Sequence, residues 1–222
     1  MISRHIVWLD GGRTTADTKR EDGWVVPYRH TRRGLRTRLH RIEFFGIPKG
    51  SRILDYGCGD GLDLHCFHAL GYSRAIGIDR SQGLLAAVAD APVVLGDAER
   101  TPFGDGSFDA VYVNAVLHHL RFERALAEIR RILRPGGLLC LVEQRAGWPR
   151  RLVDLITFSP LGASVPLAQI RHRRAALLYE MDEYRAWLRR EAHLESDLRQ
   201  HGFSVTARRE TLLSVLLNCS RE

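Results

Sequence analysis

The chain has 222 residues, 45% of them hydrophobic and 27% charged, with a formal net charge of +7 at pH 7. These values are typical of a globular protein with one domain, or one domain and a small cap. No apolar run reaches about 18 residues, so we expect no membrane-spanning helix. The first ten residues lack the apolar core and cleavage site of a signal peptide, which favours a cytoplasmic location.

The cysteines and the basic residues give no sign of a metal site, a disulfide or a nucleic-acid partner. The four cysteines form no C-x-x-C pair, which predicts reduced, buried thiols and neither zinc nor disulfides; they are Cys58, Cys66, Cys140 and Cys219. Arginine supplies nearly all the positive charge, because lysine occurs only at Lys19 and Lys49. Arginine suits phosphate and carboxylate partners. Many arginines nevertheless have helical spacing, so we favour solvated helix faces over a nucleic-acid partner.

The first 45 residues divide into two segments. Residues 1–27 have few apolar residues and a charged centre, which predicts an N-terminal arm or lid. Residues 28–45 are basic and have apolar residues at near-helical spacing, which predicts a helix. We therefore expect the main domain to cover residues 28–222.

A glycine-rich turn follows the first strongly apolar strand, residues 52–56. Glycine occurs at positions 57, 59 and 61, where it permits positive φ and lets a ligand approach bare backbone. The dinucleotide fingerprint would need its third glycine at position 62, which is Leu62. Asp55, just before the turn, would repel a pyrophosphate and attract an ammonium group. The turn therefore predicts a cradle for a ligand that carries positive charge.

The rest of the chain alternates strands and helices, as a doubly wound α/β sheet requires. Further strands are predicted over 74–79, 92–95, 109–114, 138–143, 203–210 and 211–219, and helices over 62–70, 82–89, 122–133 and 181–201. Asp79 ends the second strand, 18 positions after Gly61. An acid at this place typically binds ribose hydroxyls.

The segment Asp55-Tyr-Gly-Cys-Gly-Asp-Gly61 resembles motif I of the class I S-adenosylmethionine (SAM) dependent methyltransferases. The UbiE-like branch, methyltransferase domain 11, is the most similar in style. Residues 96–99 (Gly-Asp-Ala-Glu), His118-His119 and residues 133–137 (Leu-Arg-Pro-Gly-Gly) follow in the family's order. The resemblance covers roughly residues 50–144. It implies a Rossmann-like sheet of seven strands in the order 3-2-1-4-5-7-6, with strand 7 antiparallel and helices on both faces.

The resemblance also implies a cofactor and its site. SAM would be the methyl donor and S-adenosylhomocysteine the product, and the motifs indicate no metal. Asp79 would bind the ribose, Asp97 and the Ala98 backbone the adenine, and Tyr28 would reach the pocket from the helix before motif I. The full set of expected cofactor-binding residues is Tyr28, Asp55, Gly57, Cys58, Gly59, Gly61, Asp79, Arg80, Asp97, Ala98 and Asn114.

Two histidines are the candidates for a general base. His118 and His119 follow the fourth strand of the core, at the edge where ligands bind in open α/β sheets. Histidine suits proton removal near neutral pH. In similar O-methyltransferases such a histidine acts with an acid at the end of strand five, which is Glu143 here. We expect one of the two histidines to face the acceptor, and we favour His119. The other would pack or cap. Glu143 would orient the base, hold a metal or bind acceptor hydroxyls.

The expected reaction is O-methylation of a small-molecule hydroxyl, on a saccharide or a natural product. The residues after strand four, 114–117, do not fit the motifs of exocyclic-amine methylation, and no cysteine follows a proline as cytosine methylation requires. The paired glutamates of protein arginine methylation are also absent. An RNA or quinone-type methyltransferase and a non-catalytic SAM-binding module remain as alternatives.

Residues 145–180 correspond to the place where the family inserts its acceptor-binding cap. Prolines interrupt an apolar stretch, and a basic run follows at 171–174. We favour an acceptor cap or a homodimer contact over a membrane-surface segment.

Overall fold

The computed structural model describes residues 6–8, 32–159 and 181–222, and for 6–8 and 32–34 it describes the backbone alone. The strands are β1 Ile6–Trp8, β2 Ile53–Tyr56, β3 Ala75–Asp79, β4 Val93–Leu95, β5 Phe108–Asn114, β6 Leu133–Gln144, β7 Phe203–Glu210 and β8 Ser214–Arg221. The helices are α1 Arg32–Phe44, α2 Leu62–Ala69, α3 Gln82–Leu85, α4 Phe122–Ile132, α5 Trp148–Phe158, α6 Met181–Arg190 and α7 Leu194–Gln200. Short 3₁₀ turns occur at Leu117–His119 and Glu191–His193.

The strands form one mixed sheet in the order β1-β4-β3-β2-β5-β6-β8-β7. Strand β8 is antiparallel to both of its neighbours, and the other described pairs are parallel. From β4 to β7 this order confirms the expected 3-2-1-4-5-7-6 arrangement and the Rossmann-like class. The sheet has eight strands and not the expected seven, because β1 pairs with β4 and extends the edge. Such pairing satisfies the backbone groups that an edge strand would otherwise leave open.

Helices cover both faces of the sheet, so the central strands are buried on both sides. One core cluster packs Leu54 and Val111 of the sheet against α4, α6 and α7. The other packs Ile53 and Tyr112, which point to the opposite face, against α1, α2 and α3. The alternation of side chains along each strand therefore divides the apolar residues between two cores.

Several predicted boundaries differ from those in the structure. The helix predicted over 82–89 ends at Leu85, and the helix predicted over 181–201 breaks at Glu191. Glu191 is buried and accepts a hydrogen bond from the Ala146 amide, which turns this part of the chain inward. Thr211 and Ser214 close a hairpin turn, so the last strand starts at Ser214.

The predicted acceptor cap over 145–180 is described only as far as residue 159, which includes α5; residues 160–180 lie outside the described ranges. The four cysteines are buried and unpaired. No helix in the described part of the chain is both long and apolar enough to cross a bilayer.

Candidate active site

The glycine turn connects β2 to α2 at the carboxyl edge of the sheet. Gly57, Gly59 and Gly61 all have positive φ, at 76°, 54° and 77°. The amides of Gly57 and Cys58 both donate to the carbonyl of Ile78, at 2.8 and 3.0 Å, which attaches the turn to the end of β3. A Cβ added at Gly57 would lie 2.6 Å from Val116 Cγ2, whereas at Gly59 the nearest atom would be 3.8 Å away. The turn therefore packs closely at Gly57, whereas a Cβ at Gly59 would make only an ordinary van der Waals contact with Leu84.

Two buried carboxylates lie beside the turn. Asp55 is 2% exposed, and its Oδ2 has no hydrogen-bond partner in the described structure. Burial raises the pKa of Asp55 well above its ordinary value, and the nearby charge of Asp63 adds to the rise. Asp63 lies in the first turn of α2, and its Oδ1 also lacks a partner among the described groups. The pair forms a negative environment in which two buried oxygens are available to a cation.

Asp63 is itself held by two other elements. Its Oδ2 accepts hydrogen bonds from Arg38 Nη1 of α1 at 2.5 Å and from Asn114 Nδ2 of β5 at 2.6 Å. Arg38 therefore compensates part of the buried negative charge. Through these contacts Asn114, an expected cofactor-binding residue, is fixed at the end of β5.

Asp79 connects the end of β3 to the glycine turn. Its Oδ2 accepts the Gly59 amide and its Oδ1 accepts the Ser81 amide, each at 2.8 Å. Burial raises the pKa of Asp79, although these amide hydrogen bonds oppose the rise. Each carboxylate oxygen keeps a second lone pair for a ligand hydroxyl. Arg80, the next residue, is exposed.

The loop after β4 lies beside Asp79, since the Gly96 amide donates to the Asp79 carbonyl at 3.0 Å. Asp97 is exposed and its Oδ1 accepts the Glu99 amide at 2.8 Å. The Ala98 carbonyl accepts the hydroxyl of Tyr56 from β2. These contacts bring Asp97 and Ala98 to the same edge of the sheet as the turn.

The Cys58 thiol packs inward, unlike the backbone of the turn. A Cβ at Gly77 would lie 2.5 Å from Cys58 Sγ, so the sulfur fills the space beside that glycine. Burial raises the pKa of this thiol well above its ordinary range. The Cys58 amide and carbonyl are both used in backbone hydrogen bonds, to Ile78 and from Gly61. Tyr28 lies outside the described residues, so its expected contact stays a prediction.

His118 and Glu143 form a buried pair at the ends of β5 and β6. His118 Nδ1 and Glu143 Oε2 are 2.9 Å apart, and the residues are 6% and 1% exposed. Glu143 Oε1 also accepts the amides of Val116 and Leu117, at 2.8 and 2.7 Å. Glu143 therefore both orients His118 and holds the loop on which the histidine lies.

The sequence favours His119 as the general base, but in the structure it is His118 that contacts the Glu143 carboxylate. His119 is half-buried, and its ring centroid lies 3.9 Å from that of His118, at an interplanar angle of 42°. On the other side of His118, Gln144 Nε2 lies 3.2 Å from Nε2. Trp187 of α6 donates from Nε1 to the Gln144 carbonyl at 2.9 Å. Among the described residues, no group of three or more His, Cys, Asp or Glu side chains could hold a metal.

Comparison with known proteins finds a methyltransferase domain in the central part of the chain. Residues 54–141 match the methyltransferase domain family Methyltransf_11. A demethylmenaquinone methyltransferase of Mycobacterium sp. (strain KMS) is 34% identical over 146 residues, which are 64% of this chain and 63% of that protein. An uncharacterized methyltransferase of Synechocystis sp. is 32% identical over 119 residues, 50% of this chain and 56% of the relative. This chain spans between a third and two thirds of the length of the first curated relatives it matches.

Solved structures share the fold at low identity. A SAM-dependent methyltransferase from Aquifex aeolicus gives a TM-score of 0.60 at 14% identity, covering 83% of this chain and 89% of that chain. A structure of the Haloferax volcanii Trm112 methyltransferase activator in complex with a putative methyltransferase gives 0.61 at 17% identity, covering 95% and 99%. Residues 54–141 therefore carry a methyltransferase domain, and the chain has the fold of a SAM-dependent methyltransferase.

SAM is the cofactor of this methyltransferase family, and the described residues fit it. The open oxygens of Asp55 and Asp63 suit the ammonium group of its methionine part, since both are buried and lack partners among the described groups. The positive φ of Gly57, Gly59 and Gly61 suits a turn that a ligand approaches along its backbone. The acids at the ends of β3 and β4 lie along the same edge.

Sequence reasoning missed four residues of this candidate site: Arg38, Asp63, Gln144 and Trp187. Asp63 gives a signal that could have been used, because it is an acid in the first turn of the helix after the glycines. Trp187 reaches Gln144 across 43 positions of sequence, and Arg38 reaches Asp63 across 25. No local pattern predicts contacts of that kind.

Proposed function

We propose that the protein transfers a methyl group from SAM to a hydroxyl of a small molecule, with His118 as general base. The observation that carries the proposal is the buried His118–Glu143 pair at the carboxyl edge of the sheet, with Nδ1 and Oε2 2.9 Å apart. A carboxylate that accepts a hydrogen bond from Nδ1–H leaves Nε2 as the basic nitrogen. The same carboxylate stabilises the imidazolium that forms when Nε2 takes a proton.

We assign the cofactor as follows. Asp55 and Asp63 bind the ammonium group, Asp79 binds the ribose hydroxyls, and Asp97 with the Ala98 backbone binds the adenine. When bound, SAM supplies an electrophilic methyl group on its sulfonium. The protein holds donor and acceptor in line and excludes water.

Gln144 controls access to the base. Because the Nε2 atoms of Gln144 and His118 are 3.2 Å apart, the Gln144 amide occupies the position that an acceptor hydroxyl needs. His118 is nearly buried, so the acceptor reaches Nε2 only when the Gln144 side chain turns aside. We therefore assign Gln144 to the acceptor pocket.

Single substitutions of the two histidines test the base. We expect His118→Ala to lower the rate of methyl transfer by about 10²–10⁴-fold. We expect His119→Ala, the matched control at the adjacent position, to keep most of the activity. Labelled SAM and a panel of hydroxylated sugars, phenols and hydroquinones provide the measurement, and calorimetry checks that SAM affinity is unchanged. A loss in His119→Ala alone would assign the base to His119, and full activity in both variants would overturn the proposal.

A quinone-type acceptor is the second candidate. Its support is the similarity to demethylmenaquinone methyltransferases over 146 residues, together with exposed apolar side chains on α5, the helix that follows β6. Transfer to hydroquinones but not to sugars in the same panel would favour this candidate.

An RNA acceptor has weaker support. A concavity of about 730 Å³ at the amino ends of the strands, the opposite edge from the glycine turn, is lined by four arginines: Arg130, Arg131, Arg199 and Arg221. Arg131 there is paired with Glu128 and Asp105, each at 2.7 Å, and Arg199 lies 3.7 Å from Glu195. These pairings leave less positive charge for phosphates. Nucleic-acid affinity that falls steeply with salt would contradict us.

A SAM-binding module without catalysis is the remaining alternative. It shares the whole cofactor site, so binding does not separate it from an enzyme. Binding of SAM with no transfer to any fraction of a labelled extract would favour it.

A further inference from the structure

Helix α5 presents its apolar residues outward. Four large apolar side chains lie on one face at helical spacing: Trp148 is 73% exposed, Leu152 49%, Leu155 69% and Ile156 49%. The opposite face buries Arg150 and Thr157. This orientation is the reverse of the usual one, in which the apolar stripe of a surface helix faces the core.

Polar contacts on the inner face hold the helix in this orientation. Arg150 Nη2 donates to the carbonyl of Leu213 at 2.7 Å, and the Tyr184 hydroxyl of α6 donates to Asp154 Oδ2 at 2.7 Å. Rotation of α5 to bury its apolar stripe would break both of these hydrogen bonds. The outward stripe is therefore a stable feature of the fold.

A neighbouring turn adds to this apolar surface. Leu212 is 63% exposed in the hairpin turn between β7 and β8. The next residue, Leu213, accepts the hydrogen bond from Arg150, so the turn and the helix are joined. We call the combined patch the α5 surface and define it by Trp148, Leu152, Leu155, Ile156 and Leu212.

The exposed charged side chain of α5 is an arginine. Arg151 is exposed between Trp148 and Leu155 in the helical spacing, and Asp154, the acid of α5, is bonded to Tyr184. The whole chain carries a formal charge of +7. Tryptophan and arginine beside aliphatic side chains are typical of helices that lie in the interface of a bilayer. Pairing with a second copy would bring Arg151 side chains into one contact, and Asp154, the acid of α5, is already hydrogen-bonded to Tyr184.

We propose that the α5 surface docks on an anionic lipid bilayer. Its apolar side chains would enter the boundary between headgroups and acyl chains, to a depth of about 5–10 Å. Arg151 would remain at the level of the lipid phosphates. This binding is separate from methyl transfer, because it uses neither the glycine turn nor the His118–Glu143 pair.

Binding of the full chain to lipid vesicles tests the proposal. We expect sedimentation with vesicles of phosphatidylcholine and phosphatidylglycerol, and much weaker sedimentation with phosphatidylcholine alone or at high salt. Leu155→Glu should lower the partition coefficient about tenfold or more, since it removes a large apolar group and adds a negative charge. Arg151→Glu should lower binding to the anionic vesicles in particular. The matched control is Ala127→Glu, which adds the same charge at an exposed position of α4.

Several outcomes would overturn the proposal. The first is a wild-type protein that does not sediment with anionic vesicles, and the second is a Leu155→Glu variant that binds as the wild type does. A dimer in sedimentation velocity that Leu155→Glu dissociates, without vesicle binding, would assign the surface to a second copy. A lower melting temperature of Leu155→Glu, again without vesicle binding, would mean that other residues of the chain cover the surface.

Discussion

At the scale of single residues, the buried carboxylates determine how the site responds to pH. Asp55 has a raised pKa because its environment disfavours the charged form. An ammonium group at the open Oδ2 would favour the charged form instead. Binding of SAM should therefore release a proton from Asp55, and SAM affinity should rise with pH across the range in which Asp55 titrates. Calorimetry in buffers of different ionisation enthalpy measures this release.

Asp55→Asn should raise the stability of the SAM-free protein and lower its affinity for SAM. The folded-state pKa lies above the unfolded value, so the folded SAM-free protein loses stability as the pH rises above about 4. The amide removes this cost, and we expect the variant without SAM to gain about 1 kcal/mol at pH 7. Its SAM affinity should fall by about tenfold or more, because the amide offers no negative charge to the ammonium group.

Asp90→Asn is the matched control for this prediction. Asp90 is exposed and has a φ of 56°, a conformation that asparagine also tolerates. Thermal unfolding with and without SAM should show little change in the control. An Asp55→Asn variant that is less stable than the wild type at pH 7 would contradict the assignment of a buried, uncompensated carboxylate.

At the scale of elements, the glycines of the turn differ in how closely they pack against the rest of the fold. Gly57→Ala should destabilise the fold by about 3 kcal/mol, since it combines an unfavourable φ with a Cβ 2.6 Å from Val116. Gly59→Ala should cost only the backbone part, about 1 kcal/mol, because its Cβ would make only an ordinary van der Waals contact with Leu84. In Gly59→Ala the larger effect should be on SAM affinity.

Urea unfolding and calorimetry of the two glycine variants measure these effects. The double variant Gly57→Ala/Val116→Ala should recover part of the lost stability, since the smaller side chain makes room for the new methyl group. No recovery in the double variant would mean that backbone strain, and not the contact with Val116, causes the loss.

The elements themselves were largely predictable, because their signals are local. Alternating apolar runs predicted the strands β2 to β8, and the glycines predicted the turn. The break at Glu191 was not predictable, since it depends on the Ala146 amide, 45 positions earlier. The extension of β6 back to Leu133 depends on pairing with Phe108 of β5 and not on its own residues, Arg134 to Gly137. The outward apolar face of α5 was predicted only as an apolar segment with several alternative uses.

At the scale of the whole molecule, Arg38 couples the first helix to the cofactor site. It joins α1 to Asp63 of α2, which holds Asn114 of β5. Arg38→Met would leave a buried carboxylate without its cation, and we expect a loss of about 3 kcal/mol in the free energy of unfolding. The double variant Arg38→Met/Asp63→Asn should lose less than the single variant, because the amide carries no charge. Urea unfolding measures both, and equal losses would contradict the coupling.

The family and the sheet order were predicted from motif I and the motifs that follow it. The eighth strand was not, since nothing in Ile6–Trp8 indicates which edge it would join. The catalytic preference also changed at this scale. Both histidines follow the same strand, and only the position of β6 beside β5 decides that Glu143 contacts His118.

The double role of Glu143 limits how this protein can evolve. The same carboxylate holds the loop amides of Val116 and Leu117 and the ring of His118. A mutation at Glu143 would therefore alter the backbone and the chemistry in one step, and selection would rarely accept both changes together. New acceptors are more accessible through Gln144, whose side chain faces His118 but holds no backbone amide in the described structure. Divergence within such a lineage should accumulate at position 144 while position 143 stays constant.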